Sequence, residues 1–367
     1  GTQAAIAGDS SVVAAPQVVS GDNFSAALMS DGTVWTWGSN AQGQLGIGVA
    51  GAGMGGKANA MTPTQVIAAE GNGYLTGIIA LAAGADHILA LTKEGHVYAW
   101  GNNEFGQLGN DTYGTSLGSN PNRPVLVLGG EQGGEYLSNI ESIAAGDDFS
   151  VAVDADGWVY TFGKNTRGVL GIGKTDTNET LTVTNGSGRE VALNGFSTRD
   201  EQLALAATPR RVLSGAVRED YAYPAEGERD TGIWDANVPD SYLGNIVAVA
   251  AGDAHVVAMD RYGSVYTWGD DTYGQLGNGR PNTNEAIFLN RDDTVAGNMS
   301  AKVVPVRAAI DDAWRIYAGG NTTAVIRKDG TVWTWGENTY GQLGRTDLVD
   351  TDGEVNGTSV PGQVALS

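Results

Sequence analysis

Apolar residues fall in short runs along most of this chain, and the breaks between runs are Gly, Asp and Asn. FSAALMS at 24–30, HILALTK at 87–93, SVAVDAD at 150–156 and HVVAMDR at 255–261 are rich in strand formers. Each is followed by Asp-Gly or its equivalent. A second run then begins: VWTW at 34–37, VYAW at 97–100, VYTF at 159–162, VYTW at 265–268 and VWTW at 332–335. Two β-type runs joined by Asp-Gly predict a hairpin. A strand such as IVAVAA at 246–251 precedes most copies. Beyond each hairpin lies TPTQV (62–66), RPVLV (123–127), TPRRV (208–212), VVPVR (303–307) or VPGQV (360–364), where proline suits a strand start or an edge. No helical periodicity is long enough to compete. The unit is therefore about four strands.

The units share one register. Gly21, Gly84, Gly146, Gly252 and Gly319 each stand sixteen residues before an aromatic, namely Trp37, Trp100, Phe162, Trp268 and Trp335. The spacings are 63, 62, 106 and 67 residues, a period that points to a solenoid, propeller or array. A four-stranded unit repeated in this way is a propeller blade. The predicted fold is all-β. Residues 1–17 form a lead-in or first strand, and 18–367 form one propeller of five to seven blades. The third repeat carries about forty extra residues within 174–245, read as an insertion rather than a hidden blade, with a hairpin around Asn185-Gly186.

The segment YTWGDDTYGQLGNG at 266–279 looks at first like a phosphate-binding glycine loop. Such a loop occurs once and leads from a strand into a helix. This one occurs five times and leads into loops and short strands. Its glycines are expected to serve tight turns and close backbone approach between blades.

The combined pattern G-x-x-H-x-x-A-L, D-G-x-V-Y-x-W-G-x-N-x-x-G-Q-L-G and P-x-x-V resembles the regulator-of-chromosome-condensation repeat family from about residue 18 onward. The resemblance implies a β-propeller, usually of seven blades. Some members act as nucleotide-exchange factors that grip a small GTPase with one face. Another propeller of this type is a secreted β-lactamase inhibitor. The departures are five copies, the long third repeat, and an acidity far from that of a chromatin-docking member.

Composition narrows the partners. Lys and Arg total 21 against 42 Asp and Glu, a net charge of −21, which disfavours nucleic acid and anionic lipid and favours cationic partners or cations. Cysteine is absent, which excludes disulfides, thiol nucleophiles and thiolate metal sites. No apolar run is long enough to span a membrane. The Ala- and Thr-rich opening resembles the start of a mature exported protein, so an extracellular or cell-surface bacterial location is expected.

The chemistry-bearing residues read mostly as structural. His87 and His255 share a repeat position that holds Phe24, Phe149 and Thr322 elsewhere, so they are expected to fill space or satisfy a turn. His96 is expected on a solvated strand. DADG at 154–157 and DTDGEVNG at 350–357 place carboxylates as calcium loops do, but lack the twelfth-position Glu. No catalytic residue, metal or cofactor is expected. The variable position five residues after the aromatic holds Gln42, Phe105, Arg167, Tyr273 and Tyr340. A glycine-bounded turn exposes such a residue, and these side chains suit interface anchors. The long insert adds Tyr221, Tyr223, Trp234 and Tyr242. The expectation is a non-catalytic binding propeller for a protein or surface glycan, with an exchange factor or an enzyme inhibitor as the alternatives.

Overall fold

The structure is a computed structural model. It describes residues 14–49, 59–114, 121–172, 181–184, 190–193, 206–214, 242–279, 301–348 and 357–365, with backbone alone at 181–184, 190–193 and 301–304. Five four-stranded antiparallel blades account for nearly all of it. Blade 1 is β1 (Gln17–Ser20), β2 (Phe24–Leu28), β3 (Val34–Ser39) and β4 (Asn59–Gln65). Blade 2 is β5 (Ile78–Ala83), β6 (His87–Thr92), β7 (Val97–Gly101) and β8 (Val125–Leu126). In blade 3, β9 (Ile140–Ala145), β10 (Phe149–Asp154) and β11 (Val159–Gly163) are followed by a separate hairpin, β12 (Leu181–Thr184) with β13 (Glu190–Leu193). β14 (Arg210–Arg211) then closes the blade. Blade 4 is β15 (Ile246–Ala251), β16 (His255–Asp260), β17 (Val265–Asp270) and β18 (Ala301–Arg307). Blade 5 is β19 (Ala313–Gly319), β20 (Thr322–Arg327), β21 (Val332–Glu337) and β22 (Gly357–Gln363).

The all-β blade reading is the architecture observed. The first strand starts at Gln17, and Arg210–Arg211 of TPRRV pair with β11 as the third blade's outer strand. The hairpin expected around Asn185-Gly186 is present in β12 and β13, although 185–189 lie outside the described residues.

The chain divides into two compact units. One holds residues 1–164, 203–211 and 247–251; the other holds 165–202, 212–246 and 252–367. In the first, Phe24, Ala26 and Leu28 of blade 1 share a core with Ile88, Ala90 and Trp100 of blade 2. Leu89 and Leu91, on the other face of β6, share a second core with Ala152 and Phe162 of blade 3. Alternate residues of one strand thus enter two different cores, because successive side chains point to opposite sheet faces. This is why β6 is buried at every position and reads as a nearly continuous apolar run; β10 and β16 are likewise buried at every position.

The repeated glycine segment lies at the blade junctions. Trp100 Nε1 donates to the Gln44 carbonyl at 3.0 Å, and Trp335 Nε1 to the Gln275 carbonyl at 2.9 Å. In the second unit Trp268 Nε1 donates to the Val169 carbonyl at 2.8 Å. Two residues after each of these carbonyls is a glycine with positive φ. Those glycines are Gly46, Gly171 and Gly277, and Gly109 is the equivalent beneath Phe162. A Cβ on Gly46 would come within 2.7 Å of the Trp100 indole nitrogen, and one on Gly109 within 2.9 Å of the Phe162 ring. The glycine loop is a seat for the next blade's aromatic.

Gly109 and Gly344 separate backbone conformation from crowding. Their φ values are +61° and +60°, but Gly344 faces only Val364, at 3.3 Å. Gly344→Ala should cost about 1 kcal/mol, the strain of a left-handed alanine. Gly109→Ala should cost about 1–3 kcal/mol more, through overpacking against Phe162. Chemical denaturation of both variants checks this, and equal losses would remove the seat argument.

Candidate functional site

Each junction loop is shaped by side chains acting on its own backbone. Leu45, Leu108, Leu170, Leu276 and Leu343 donate their N–H groups to Asn40, Asn103, Asn165, Asp271 and Asn338 at 3.0–3.2 Å. The N–H groups of Gln42, Phe105, Tyr273 and Tyr340 donate to the side-chain oxygens of Gln44, Gln107, Gln275 and Gln342. Val169 replaces the glutamine in the third repeat, where Arg167 has a positive φ of 57°.

These clamps fix the backbone at the variable position but do not display its side chain. Gln42, Phe105, Arg167 and Tyr273 are half-buried, and only Tyr340, at 89%, is broadly exposed. At Phe105 and Arg167 the covering group is the residue that follows the next repeat's aromatic-glycine pair. Lys164 Nζ lies 4.5 Å from the Phe105 ring centroid, and Arg167 Nε lies 3.6 Å from Asp270 Oδ1. Tyr221, Tyr223 and Trp234 of the insert lie outside the described residues. Tyr242 proves to be a repeat residue. It bridges Leu213 as Tyr74 bridges Ile67 and Tyr136 bridges Leu128, and each tyrosine precedes a buried leucine.

The two shared-position histidines are fully buried. His87 Nε2 lies 3.0 Å from Ser150 Oγ, and His255 Nε2 lies 2.9 Å from Thr323 Oγ1. Each hydroxyl gives its own proton to a junction carbonyl, that of Gln107 at 2.7 Å or Gln275 at 2.8 Å. The hydroxyl oxygen must then accept from Nε2–H. Nδ1 is therefore the unprotonated nitrogen, and it meets no hydrogen-bond partner among the described residues. Burial lowers both pKa values to about 4, so both rings are neutral links between blades. Where blade 1 has Phe24 instead, its neighbour in the core is Ile88. Ser150 and Thr323 were not singled out by the sequence; their signal was a hydroxyl one residue beyond the His position in the following repeat. His96 is less solvated than expected: it is half-buried, and Nδ1 lies 3.1 Å from the Leu137 carbonyl.

The DADG carboxylate is used by its own hairpin. Asp154 Oδ1 accepts from the N–H groups of Asp156 and Trp158, and Oδ2 accepts from the Tyr160 hydroxyl at 3.0 Å. Residues 350–356 of the other acidic turn lie outside the described residues.

A different set of carboxylates is drawn together by backbone. The turns joining first and second strands are hydrogen-bonded in series, Asp22 N–H to the Ala85 carbonyl and Ala85 N–H to the Asp147 carbonyl, both at 3.0 Å. A Cβ on Gly21 or Gly84 would collide with the neighbouring turn's carbonyl, so the repeat glycine permits this stacking. Asp22 and Asp147 are exposed, and Asp86 and Asp148 half-buried. Burial raises the Asp86 pKa, and the charges of Asp22 and Asp148 raise it further, while a hydrogen bond from Gln44 works against them. Gln44 Nε2 to Asp86 Oδ1 is 2.8 Å, and Lys164 Nζ to Asp148 Oδ2 is 3.2 Å. The result is a row of negative charge with Lys164 beside Asp148.

Comparison with known proteins agrees with the repeat. The profile described as regulator of chromosome condensation (RCC1) repeat matches residues 31–91, 94–153, 262–326 and 329–367, and a second profile of that description matches five segments between 17 and 342. The ultraviolet-B receptor UVR8 of Arabidopsis thaliana is 29% identical over 91% of this chain and 67% of its own length. The E3 ubiquitin-protein ligase HERC2 of Homo sapiens is 31% identical over 95% of this chain, which spans only 6% of the ligase. The crystal structure of Prp20p from Saccharomyces cerevisiae superposes with a TM-score of 0.60 at 20% identity, covering 95% of this chain and 64% of Prp20p. That likeness shows a β-propeller fold.

The buried histidines make stability depend on pH. Their folded pKa of about 4 lies below the unfolded value of 6.5, so between these values the unfolded chain binds protons that the native chain does not. Stability is intact above pH 6.5 and falls as the pH drops towards 4, by about 3 kcal/mol for each ring. His255→Phe with Thr323→Val should remove about half of that acid-linked loss. At pH 7 it should cost less than about 1.5 kcal/mol, because Trp335 still donates to the Gln275 carbonyl. Urea unfolding at pH 7, 6 and 5 measures both, and an unchanged pH profile would refute the assignment.

Proposed function

The chain belongs to the regulator of chromosome condensation repeat family, and on that premise we propose that it is a non-catalytic binding propeller for a protein with a basic segment. The row Asp22, Asp86, Asp147 and Asp148 carries the reading. It stands on hydrogen-bonded turns, so its charges are held in place before a partner arrives. Its ionised form is disfavoured in the free protein at Asp86, and a Lys or Arg side chain would relieve that repulsion. A net charge of −21 favours encounter with a cationic partner.

The known relatives support a protein ligand. Prp20p is described with binding to Gsp1p and histones, and yeast RCC1 has been crystallised bound to Kap60. A nucleotide-exchange role on a small GTPase is the second reading, favoured by the shared fold with Prp20p. Accelerated nucleotide release from a GTPase would distinguish it from simple binding. A setting outside a bacterial cell, with a surface protein or glycan as ligand, rests on composition alone.

Asp86→Asn separates binding from folding. Asparagine keeps an oxygen for Gln44 Nε2 and removes the charge. The free protein should become slightly more stable at pH 7, by less than about 1 kcal/mol. Capture of Lys- and Arg-rich peptides from an array should fall several-fold, and should fall further in the Asp22→Asn/Asp86→Asn/Asp148→Asn combination. Binding that ignores both the variants and a rise in salt would overturn the reading.

A further inference from the structure

Junction glutamines reach towards one turn position of the following repeat. Gln44 Nε2 donates to Asp86 Oδ1 at 2.8 Å. Gln275 Nε2 donates to Asn321 Oδ1 at 3.3 Å, as well as to Asp270. Asp86 and Asn321 each stand two residues after a repeat glycine, Gly84 or Gly319. Asp148, two residues after Gly146, holds that position for Gln107. Gln107 is wholly buried, and its Oε1 accepts the Phe105 N–H at 2.9 Å, which fixes the direction of the amide. Its Nε2 meets no hydrogen-bond partner among the described residues.

Lys164 explains the unmade bond. It directly follows an aromatic-glycine pair, at a position that holds Ser39, Asn102, Asp270 and Glu337 in the other repeats. It is the one cation of that set. Its Nζ lies 3.2 Å from Asp148 Oδ2 and 4.5 Å from the Phe105 ring centroid. Asp148 is thus turned to the lysine rather than to Gln107, and the lysine covers the aromatic of the variable turn position. Phe105, Gln107, Asp148 and Lys164 all belong to the first compact unit.

We propose that Lys164 is a tethered stand-in for an arginine of the partner's basic segment, and that binding displaces it. The inference rests on the acidic row as the binding site. A guanidinium suits this place better than an ammonium, because its plane stacks on a ring while its N–H groups meet a carboxylate. Displacement is a nearly balanced exchange. A partly exposed ion pair is lost, and such pairs are weak in water. A buried donor gains an acceptor, which relieves a larger penalty. Once Lys164 leaves, one Asp148 oxygen can take the Gln107 proton as Asp86 takes that of Gln44. The other oxygen and the face of Phe105 then receive the arginine. A lysine in the partner would only replace like with like, so Lys164 selects for arginine.

Two measurements test this, the first without a partner. In NMR spectra of protein with isotope-labelled glutamine, Lys164→Met should shift the Gln107 side-chain amide and slow its exchange with solvent. Lys164→Met/Asp148→Ala should reverse both effects, and Gln107→Met identifies the signal. Calorimetric titration at low salt then uses deca-arginine and deca-lysine as probes. The parent should bind the arginine peptide more tightly, and Lys164→Met should lower both Kd values about fivefold. Lys164→Arg should bind no better than the parent. Lys93→Met removes the same charge from the far end of β6 and should change little. Thermal unfolding confirms that the variants fold, and Lys164→Gln replaces Lys164→Met if that one does not. An unmoved Gln107 signal overturns the proposal. So does a gain that Lys93→Met matches, or a parent that binds both peptides equally. A moved signal with no peptide bound by any variant would instead overturn the acidic row as the binding site, with the exchange of Asp148 between Lys164 and Gln107 upheld.

Discussion

A blade of four short strands has two apolar faces and covers neither by itself. The rest of the structure follows from that constraint. A helix can turn its apolar stripe to one core and its polar stripe to water, but an interior sheet must be covered on both sides. In the cores shared by blades 1, 2 and 3 the covering is another blade, and the contact is made at one recurring place. The aromatics Trp100, Phe162, Trp268 and Trp335 lie on a glycine of the preceding repeat, and the three tryptophans hydrogen-bond a carbonyl two residues before it. The glycine is required twice over, by its positive φ and by the ring above it. Any larger residue there must displace an indole that is itself fixed by its N–H.

Polar groups at these junctions obey the same logic. A buried carbonyl needs a donor. Gln44 receives one from Trp100, and Gln275 receives two, from Trp335 and Thr323. Phe162 has no N–H to give, and there Ser150 supplies the proton to Gln107 instead. The histidines complete the arrangement by donating to hydroxyls whose own protons are already committed. Variation at the His position is thus matched by variation one residue along in the following repeat: His87 with Ser150, His255 with Thr323, Phe24 with Ile88. A side chain that looked like chemistry in isolation is one half of a structural pair.

Much of this was legible in the sequence, because the repeat is a local signal copied five times. The register from Gly21 to Trp37 and its counterparts identified strands, turns and blades. The third repeat's extra length was visible in a spacing of 106 residues against 62–67 elsewhere. What could not be read was contact between repeats. Exposure of the variable position was inferred from the turn alone, but Lys164 and Asp270 of following repeats lie against Phe105 and Arg167. Tyr242 was assigned to the insert because the motif that contains it, a tyrosine before a buried leucine, is too short to notice without its bridge partner. The acidic row escaped notice for a similar reason. Asp22, Asp86 and Asp148 are far apart in sequence and unremarkable among 42 acidic residues until the hydrogen-bonded turns align them.

That alignment separates the demands of folding from those of binding. The junctions are apolar or hydrogen-bonded, apart from the Nδ1 atoms of His87 and His255, and changing them costs stability. The glycine turns are held just as firmly, but by their backbones, so the side chains they carry are free to vary without loss of the fold. At Asp86 this freedom is used against stability, since its charge is disfavoured by burial and by its neighbours. A group that the fold would prefer neutral, held on a rigid turn beside like charges, is a poor structural choice and a good place for a cation to bind. Binding specificity in a propeller of this kind can therefore change through its turns while every junction stays the same.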